Sequence, residues 1–199
     1  MARYTGPKDR LSRREGFDLF GKGAKLTRLG VSPGVHGPKG ASFRQSQYSR
    51  QLREKQKVKR LYGVLEKQFR KYVEESFKTK GNTGDKLMSL LERRLDNVVY
   101  RLGFAPTRPA ARQLVSHKHV TVNGKKINIP SYRLKKGESV SLDAKALEIP
   151  AIKKSTEGDQ KIPKWLRRKA IIGEMTREPV IDDISESISA QDIVEFYSR

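Results

Sequence analysis

Residues 107–124 read TRPAARQLVSHKHVTVNG. Thr107 has the hydroxyl of a helix cap, and Pro109 fits the first turn, where an absent N–H costs no hydrogen bond. Arg108 and Arg112 are four apart and leave one helical face, while Ala111, Leu114 and Val115 turn inward. His117, Lys118 and His119 follow, then a short strand of Val120, Thr121 and Val122. Asn123-Gly124 is the dipeptide that best accepts the positive φ angles of a type I′ hairpin. A basic helix face beside a tight hairpin makes a compact surface for a phosphate backbone, so this segment predicts nucleic-acid binding.

Upstream, Leu87, Leu91, Leu95, Val98 and Leu102 recur at helical spacing. They predict one helix over 85–102, closed by Gly103, with Arg94 and Arg101 on a neighbouring face. Downstream, Ile127 and Ile129 alternate with Asn128 as a second strand, and Val140 and Leu142 mark a third after the turn at Lys135-Lys136-Gly137. Residues 85–150 thus read as two helices plus a small, strongly curved antiparallel sheet. Two helices joined by a short turn also resemble a helix-turn-helix. The hairpin directly after the second helix, and the lack of a dimerisation stripe, argue against a DNA reader.

Residues 1–45 are rich in Gly, Pro, Lys and Arg with few periodic apolar positions, and so predict an extended arm that orders on RNA. Arg3, Arg10, Arg13, Arg14, Lys22, Lys25 and Arg28 would meet phosphates there, with Arg44 at its end. Two helices follow, over 48–62 and 65–77. The first is closed by Gly63, and the second carries a core stripe of Leu65, Phe69, Tyr72, Val73 and Phe77. Their polar faces hold the candidate RNA contacts Arg50, Lys55, Lys59, Arg60 and Arg70. Near the end, Ile162 to Leu166 reads as an extended segment anchoring Trp165, and Ser189 to Asp192 resembles a capping box before a final helix. From Pro179 onward there are five acids and one arginine, a candidate face for a basic protein neighbour.

The chain of 199 residues has 43 Lys/Arg against 22 Asp/Glu, a net charge of +21. Residues 1–80 carry +14 of it, residues 81–150 carry +7, and residues 151–199 are neutral. Such an excess attracts polyanions. No segment approaches the roughly 20 apolar residues that span a bilayer, and residues 1–14 lack the apolar region of a signal peptide. A cytoplasmic protein without a membrane partner is expected. The absence of cysteine excludes disulfides, thiolate nucleophiles and Cys-based metal sites. His36, His117 and His119 are the only histidines, so no metal and no cofactor is expected.

The segment SLLERRLDNVVYRLGFAPTRPAARQLVSHKHVTVNGKKINIPSYRLKKGESV resembles the RNA-binding module named after the fourth protein of the small ribosomal subunit. MARYTGPKDRLSRREG, QYSRQLREKQKVKRLYGVLEKQFRKYVEESF and IVEFYSR resemble that bacterial ribosomal protein family outside the module, so the resemblance is nearly full-length. Many members carry a zinc-holding cysteine cluster near the N-terminus. Asp9 and Ser12 stand in its first two places here, which resembles the cysteine-free branch.

The resemblance implies an α+β protein: a mostly helical first domain, an RNA-binding module of two helices and a small curved antiparallel sheet, and the extended basic arm. The expected divisions are an arm over 1–45, a helical domain over 46–84 completed by 179–199, and an RNA-binding domain over 85–178 with its core at 91–150. It implies a structural constituent of the ribosome and no enzyme. Such a protein is a primary binder of small-subunit rRNA at a multi-helix junction of the 5′ domain, and it nucleates assembly of the subunit body. Further implied partners are small-subunit ribosomal protein five, with an influence on translational accuracy, and mRNA near the channel through which it enters. No small-molecule substrate is implied.

Within the module, phosphate contacts are expected from Arg94, Arg101, Arg108, Arg112, Lys118, Lys125 and Lys126, with backbone N–H groups near Thr107 assisting. Gln113, His117, His119 and Asn123 are candidates for ribose hydroxyls or splayed bases. The two histidines, two apart at a strand start, are expected to face opposite ways. Asn123 is equally well explained by its turn. Tyr48, Tyr100 and Tyr132 are stacking candidates, with core packing the alternative for Tyr100. Two other readings remain. A pseudouridine-synthase-like enzyme would carry the same module but needs a catalytic domain for which no nucleophile pattern is present. A translational repressor would act through mRNA binding.

Overall fold

The structure is a computed structural model that describes residues 4–35, 37, 46–158 and 161–198. The chain divides into two compact units, Met1–Gly84 with Ile188–Arg199, and Asp85–Ser187. Residues 179–187 thus pack with the second unit, whereas the sequence places the whole of 179–199 with the first.

The first unit is helical. Helix α1 (Lys8–Glu15) ends at Gly16, whose φ of 62° lets the chain reverse without a Cβ penalty. Residues 8–15 are therefore ordered helix rather than extended arm. The reason is a specific anchor: the Glu15 carboxylate accepts from Arg53 at 3.2 Å and from Arg60, both on α2 (Gln47–Leu61). Helix α2 is capped by Ser46, and α3 (Glu66–Lys78) follows after Gly63. Phe69, Tyr72 and Val73 are buried as expected, but Leu65 and Phe77, at the ends of the stripe, are exposed. The C-terminal helix, named α9 below, packs on α2 in this unit.

Helix α4 (Thr83–Glu92) and α5 (Leu95–Arg101) replace the single helix expected over 85–102. The break has a tertiary cause. Arg94 forms an isolated antiparallel bridge with Arg133, Leu134 N–H donates to Arg93 O at 2.9 Å, and Leu95 N–H donates to Tyr132 O at 2.8 Å. These bonds hold Arg94 extended, with ψ of 135°, before α5 restarts the helix.

Helix α6 (Arg108–Ser116) leads into β1 (Val120–Val122), β2 (Lys125–Lys126) and β3 (Ser139–Leu142). The second strand stops before Ile127, so Ile127 and Ile129 lie outside it, and Ile129 is exposed. Short helices α7 (Ala144–Leu147) and α8 (Pro150–Glu157) precede a second hairpin, β4 (Leu166–Lys169) and β5 (Ile172–Met175). The five strands form one open antiparallel sheet in the order β2-β1-β3-β5-β4.

The core of this unit joins Leu95 and Val98 of α5, Leu102 just after it, Ala111, Leu114 and Val115 of α6, the inward strand residues Val120, Val122, Val140 and Leu142, and Trp165 and Met175. A Cβ on Gly173 would lie 2.3 Å from a Leu102 methyl, so β5 approaches α5 only because that position is glycine. The final helix α9 (Ala190–Tyr197) is capped by Ser189, whose Oγ accepts from Asp192 N–H at 3.4 Å. No described helix is long and apolar enough to cross a membrane.

Candidate nucleic-acid interface

In the second unit the basic side chains expected at RNA fall into two groups. The first group is enclosed. Arg94 is buried and gives two hydrogen bonds to Asp96, from Nε at 3.1 Å and from its terminal nitrogen at 2.6 Å. Arg101 meets Glu92 at 2.7 Å and Glu186 at 2.7 Å, and Arg108 reaches Glu186 at 2.7 Å and Asn97 Oδ1 at 3.0 Å. Arg112 lies 3.4 Å from Asp96. Burial would raise the Glu186 carboxyl, but the charges and hydrogen bonds of Arg108 and Arg101 overrule it and hold the group at about 2. The four arginines expected at phosphates therefore have carboxylate partners inside the chain.

The second group is the rim from the end of α6 to β2. Gln113, His117 and Lys118 are exposed, as are Asn123, Lys125 and Lys126. Lys118 adopts a φ of 63°, which turns the chain so that the His117 and His119 rings approach to 6.2 Å. The histidines thus neighbour each other instead of facing opposite ways. Asn123, at φ 48°, starts the expected turn, and its Oδ1 accepts from Ser139 N–H at 2.9 Å. That bond ties the hairpin to β3 and engages one side of the Asn123 amide. Thr107 caps α6 by accepting from Ala110 N–H at 3.3 Å, so its hydroxyl serves the helix. Lys126 meets Asp143 at 2.8 Å, and this hydrogen bond and charge keep the Asp143 carboxyl below the usual range. Lys118 and Lys125 have no ion-pair partner among the described residues.

The stacking candidates are occupied to different degrees. The Arg108 guanidinium lies 4.5 Å from the Tyr100 ring centre, and Tyr132 donates to Glu138 at 2.9 Å. Tyr48 is half exposed beside Phe196, at 5.8 Å between ring centres.

In the first unit, Arg10, Arg14, Arg50 and Arg70 are exposed. Arg70 pairs with Glu74 at 3.1 Å one turn along its own helix, and Arg50 with Asp192 at 3.1 Å. Arg13 donates to Val31 O at 3.0 Å and braces the segment after α1. Lys22 pairs with Asp9 at 2.5 Å. Lys55 and Lys59 both donate to Glu66, at 2.9 and 2.8 Å, and Tyr197 Oη joins at 2.6 Å. Against its burial, those bonds hold the Glu66 carboxyl at about 2, and burial together with the bond to Glu66 pushes the Tyr197 hydroxyl up. Lys55 also lies 4.7 Å from the Phe196 ring centre, so it joins α2 to α9. Arg60 is held by Glu15. Arg3 and Arg44 lie outside the described residues.

The chain matches the family description "Ribosomal protein S4/S9 N-terminal domain" over residues 3–92 and "S4 domain" over residues 93–140. It is 50% identical, over all of both chains, to the small ribosomal subunit protein uS4A of Psychromonas ingrahamii. The uS4 proteins of Citrifermentans bemidjiense and Polaromonas naphthalenivorans are likewise 50% identical over their full lengths. The chain belongs to the uS4 family of small ribosomal subunit proteins. Its two family regions meet at residues 92 and 93, where α4 ends and the chain is drawn out to pair with Arg133.

Beyond the part matched as the S4 domain, the uS4 chain continues its sheet with β4 and β5. Lys135 and Lys136, in the turn before β3, are exposed basic residues that belong with the rim by chemistry, although only their turn signal was read from sequence. Arg167 and Lys169 on edge strand β4 are also exposed, while Arg168 is turned inward to donate to Leu102 O at 2.9 Å. Alternation along an edge strand is the signal that separates them. Among the described residues no group of three or more His, Asp or Glu side chains is placed to hold a metal ion.

The acidic tail also differs from expectation. Asp183 pairs with Arg177 at 2.6 Å, Glu186 with Arg101 and Arg108, Asp192 with Arg50, and Glu195 accepts from Gln51 at 2.7 Å. Asp183, Glu186 and Asp192 thus neutralise basic groups of the chain itself, whereas Glu195 is held by a neutral amide.

Proposed function

We propose that this protein is a structural constituent of the cytoplasmic small ribosomal subunit that binds its rRNA, with the rim of Gln113, His117, Lys118, His119, Asn123, Lys125 and Lys126 as a principal contact of the second unit. The observation that carries the reading is the sorting of charge. In a uS4-family chain of net charge +21, the arginines around Asp96 and Glu186 are neutralised within the fold. Lys118 and Lys125 beside the hairpin are left for an outside anion. Lysines act as point charges on phosphates and fix register. Gln113 and the histidine pair offer donors and acceptors for ribose hydroxyls and unstacked bases.

The role is architectural, as the identity of the chain's relatives as small ribosomal subunit proteins implies. Nucleation of the subunit body at a multi-helix junction of the 5′ domain is implied by the family resemblance. Contact with small-subunit ribosomal protein five, an influence on accuracy, and contact with mRNA near the channel through which it enters rest on the family resemblance alone. The internal ion pairs of Glu186 and Asp192 weaken the charge argument for a basic neighbour at the tail.

The test is competition binding of the full chain to a small-subunit rRNA 5′-domain transcript against duplex DNA of equal length. Preference for the transcript at physiological salt is expected. Preference for the duplex would overturn the reading, and conversion of any uridine in the bound transcript would overturn the non-enzymatic assignment.

A further inference from the structure

Strand β4 ends the sheet: in the order β2-β1-β3-β5-β4 no strand of the described residues lies beyond it. Its other side is taken by β5, with Arg167 opposite Glu174, Arg168 opposite Gly173 and Lys169 opposite Ile172. Thr176 N–H donates to Trp165 O at 3.0 Å, which sets the alternation of the ladder. Arg167 and Lys169 therefore spend their backbone groups on β5, and Arg168 turns its N–H and C=O to the open side. Ala170 N–H, two residues on, has no backbone acceptor among the described residues. The Ala170 carbonyl is already used by Arg168 Nε at 2.9 Å, and Leu166 N–H by Pro163 O at 3.0 Å. The open stretch is thus short and defined.

Charge flanks it. Arg167 and Lys169 stand two residues apart on one face of the sheet, both exposed, and neither has an ion-pair partner among the described residues. Glu174 is the cross-strand neighbour of Arg167 but forms no ion pair with it. The Arg168 side chain points to the opposite face, where Leu102 O and Thr156 O hold its guanidinium. A bare edge invites a further strand, and charge decides which one. A second copy of this chain, paired antiparallel through β4 about Arg168, would set Arg167 against Lys169, like charges directly opposite. Phosphates answer the two cations but give no donor to the Arg168 carbonyl. A strand with acids two residues apart satisfies the cations, the N–H and the C=O together.

We propose that the β4 edge docks an acidic extended segment of a partner protein as an added antiparallel strand. Its Asp or Glu side chains, two residues apart, meet Arg167 and Lys169. The residue between them exchanges backbone hydrogen bonds with Arg168, and Ala170 N–H gains an acceptor. The edge lies outside the part matched as the S4 domain and shares no residue with the rim, so the proposal goes beyond the rRNA reading.

The probe is an acetylated and amidated heptapeptide alternating Glu and Val, titrated into the full chain and followed by amide hydrogen exchange. Protection of the Arg168 and Ala170 amides by about threefold or more is expected. Arg167→Glu/Lys169→Glu replaces exposed, unpaired side chains and keeps the wild-type thermal midpoint. It is expected to bind this peptide about tenfold more weakly and to accept the analogue with Lys in place of Glu. N-methylation at the valines keeps every charge but removes the backbone donors, and it should abolish the protection. No protection of the two amides at millimolar peptide, or equal protection by the N-methylated or Lys-bearing analogue, overturns the added strand. Protection that grows with protein concentration alone would assign the edge to a second copy and overturn the proposal. So would protection of the same amides by the 5′-domain transcript, with a salt slope lowered by about two in the charge-reversed variant, which would assign the edge to RNA.

Discussion

The arginine cluster around Asp96 and Glu186 and the lysine rim from Lys118 to Lys125 lie within a few dozen residues of each other in sequence, yet they behave in opposite ways. Arg94, Arg101, Arg108 and Arg112 are pinned by carboxylates, and Arg94 is buried outright. Lys118 and Lys125 extend into solvent beside a hairpin whose geometry is fixed by Asn123 and Gly124. Basic residues on a helix face are therefore not equivalent. Those whose guanidinium planes find acids inside the fold become structure, and those in the turn before β1 and at the start of β2 remain available to an external phosphate. A +21 chain can thus reach RNA with a minority of its charges.

The comparison breaks most visibly through the buried pair. Replacing Asp96 by Ala leaves Arg94 buried without its anion and takes a partner from Arg112 and from the Asn97 N–H. A loss of about 3–5 kcal/mol is expected in urea unfolding, and the surviving folded fraction should bind rRNA with an unchanged salt slope. A loss below about 1 kcal/mol would mean that the cluster is exposed to water in solution.

Glu186 sharpens the comparison through pH. Its carboxyl is held at about 2, against an ordinary value of 4.5. A depressed folded value means that the ionised form stabilises the fold, so the contribution is complete above about pH 4.5 and disappears as pH falls toward 2. That contribution is on the order of 3 kcal/mol. Glu186→Gln should therefore lower stability at pH 7 and flatten the acid limb of the unfolding curve between those values. An acid limb identical to wild type would place the Arg101 and Arg108 charges outside the fold's balance.

Thr107→Ala probes the junction of the two regions, since α6 carries Arg108 and Arg112 at one end and leads to the rim at the other. Loss of the cap bond to Ala110 N–H is expected to cost about 1 kcal/mol, with a small loss of rRNA affinity. An unchanged denaturation midpoint would show that Pro109 alone fixes the helix start.

Much of this was legible in sequence because it is local. Thr107, Pro109 and Asn123-Gly124 carry their own geometry, and the first turn of α9 announces itself through Ser189 and Asp192. What was not legible depends on distant partners. The 85–102 apolar period runs unbroken through Arg93 and Arg94, yet backbone bonds to Tyr132 and Leu134 pull the chain out of the helix there. The β4–β5 hairpin turns at Ala170, which holds a φ of 49° without glycine or asparagine to advertise it. The roles of Arg101 and Arg108 are decided by Glu186, some 80 residues downstream. No spacing rule around an arginine reports such an acid.

The central claim is that the exposed rim, and not the enclosed arginine cluster, meets rRNA phosphates in the second unit. The most direct measurement is the slope of log affinity against log salt for the 5′-domain transcript, for wild type and for Lys118→Ala/Lys125→Ala. Losing two phosphate contacts should reduce the slope by about two while the urea midpoint stays at the wild-type value. An unchanged slope in the folded double variant would contradict the account.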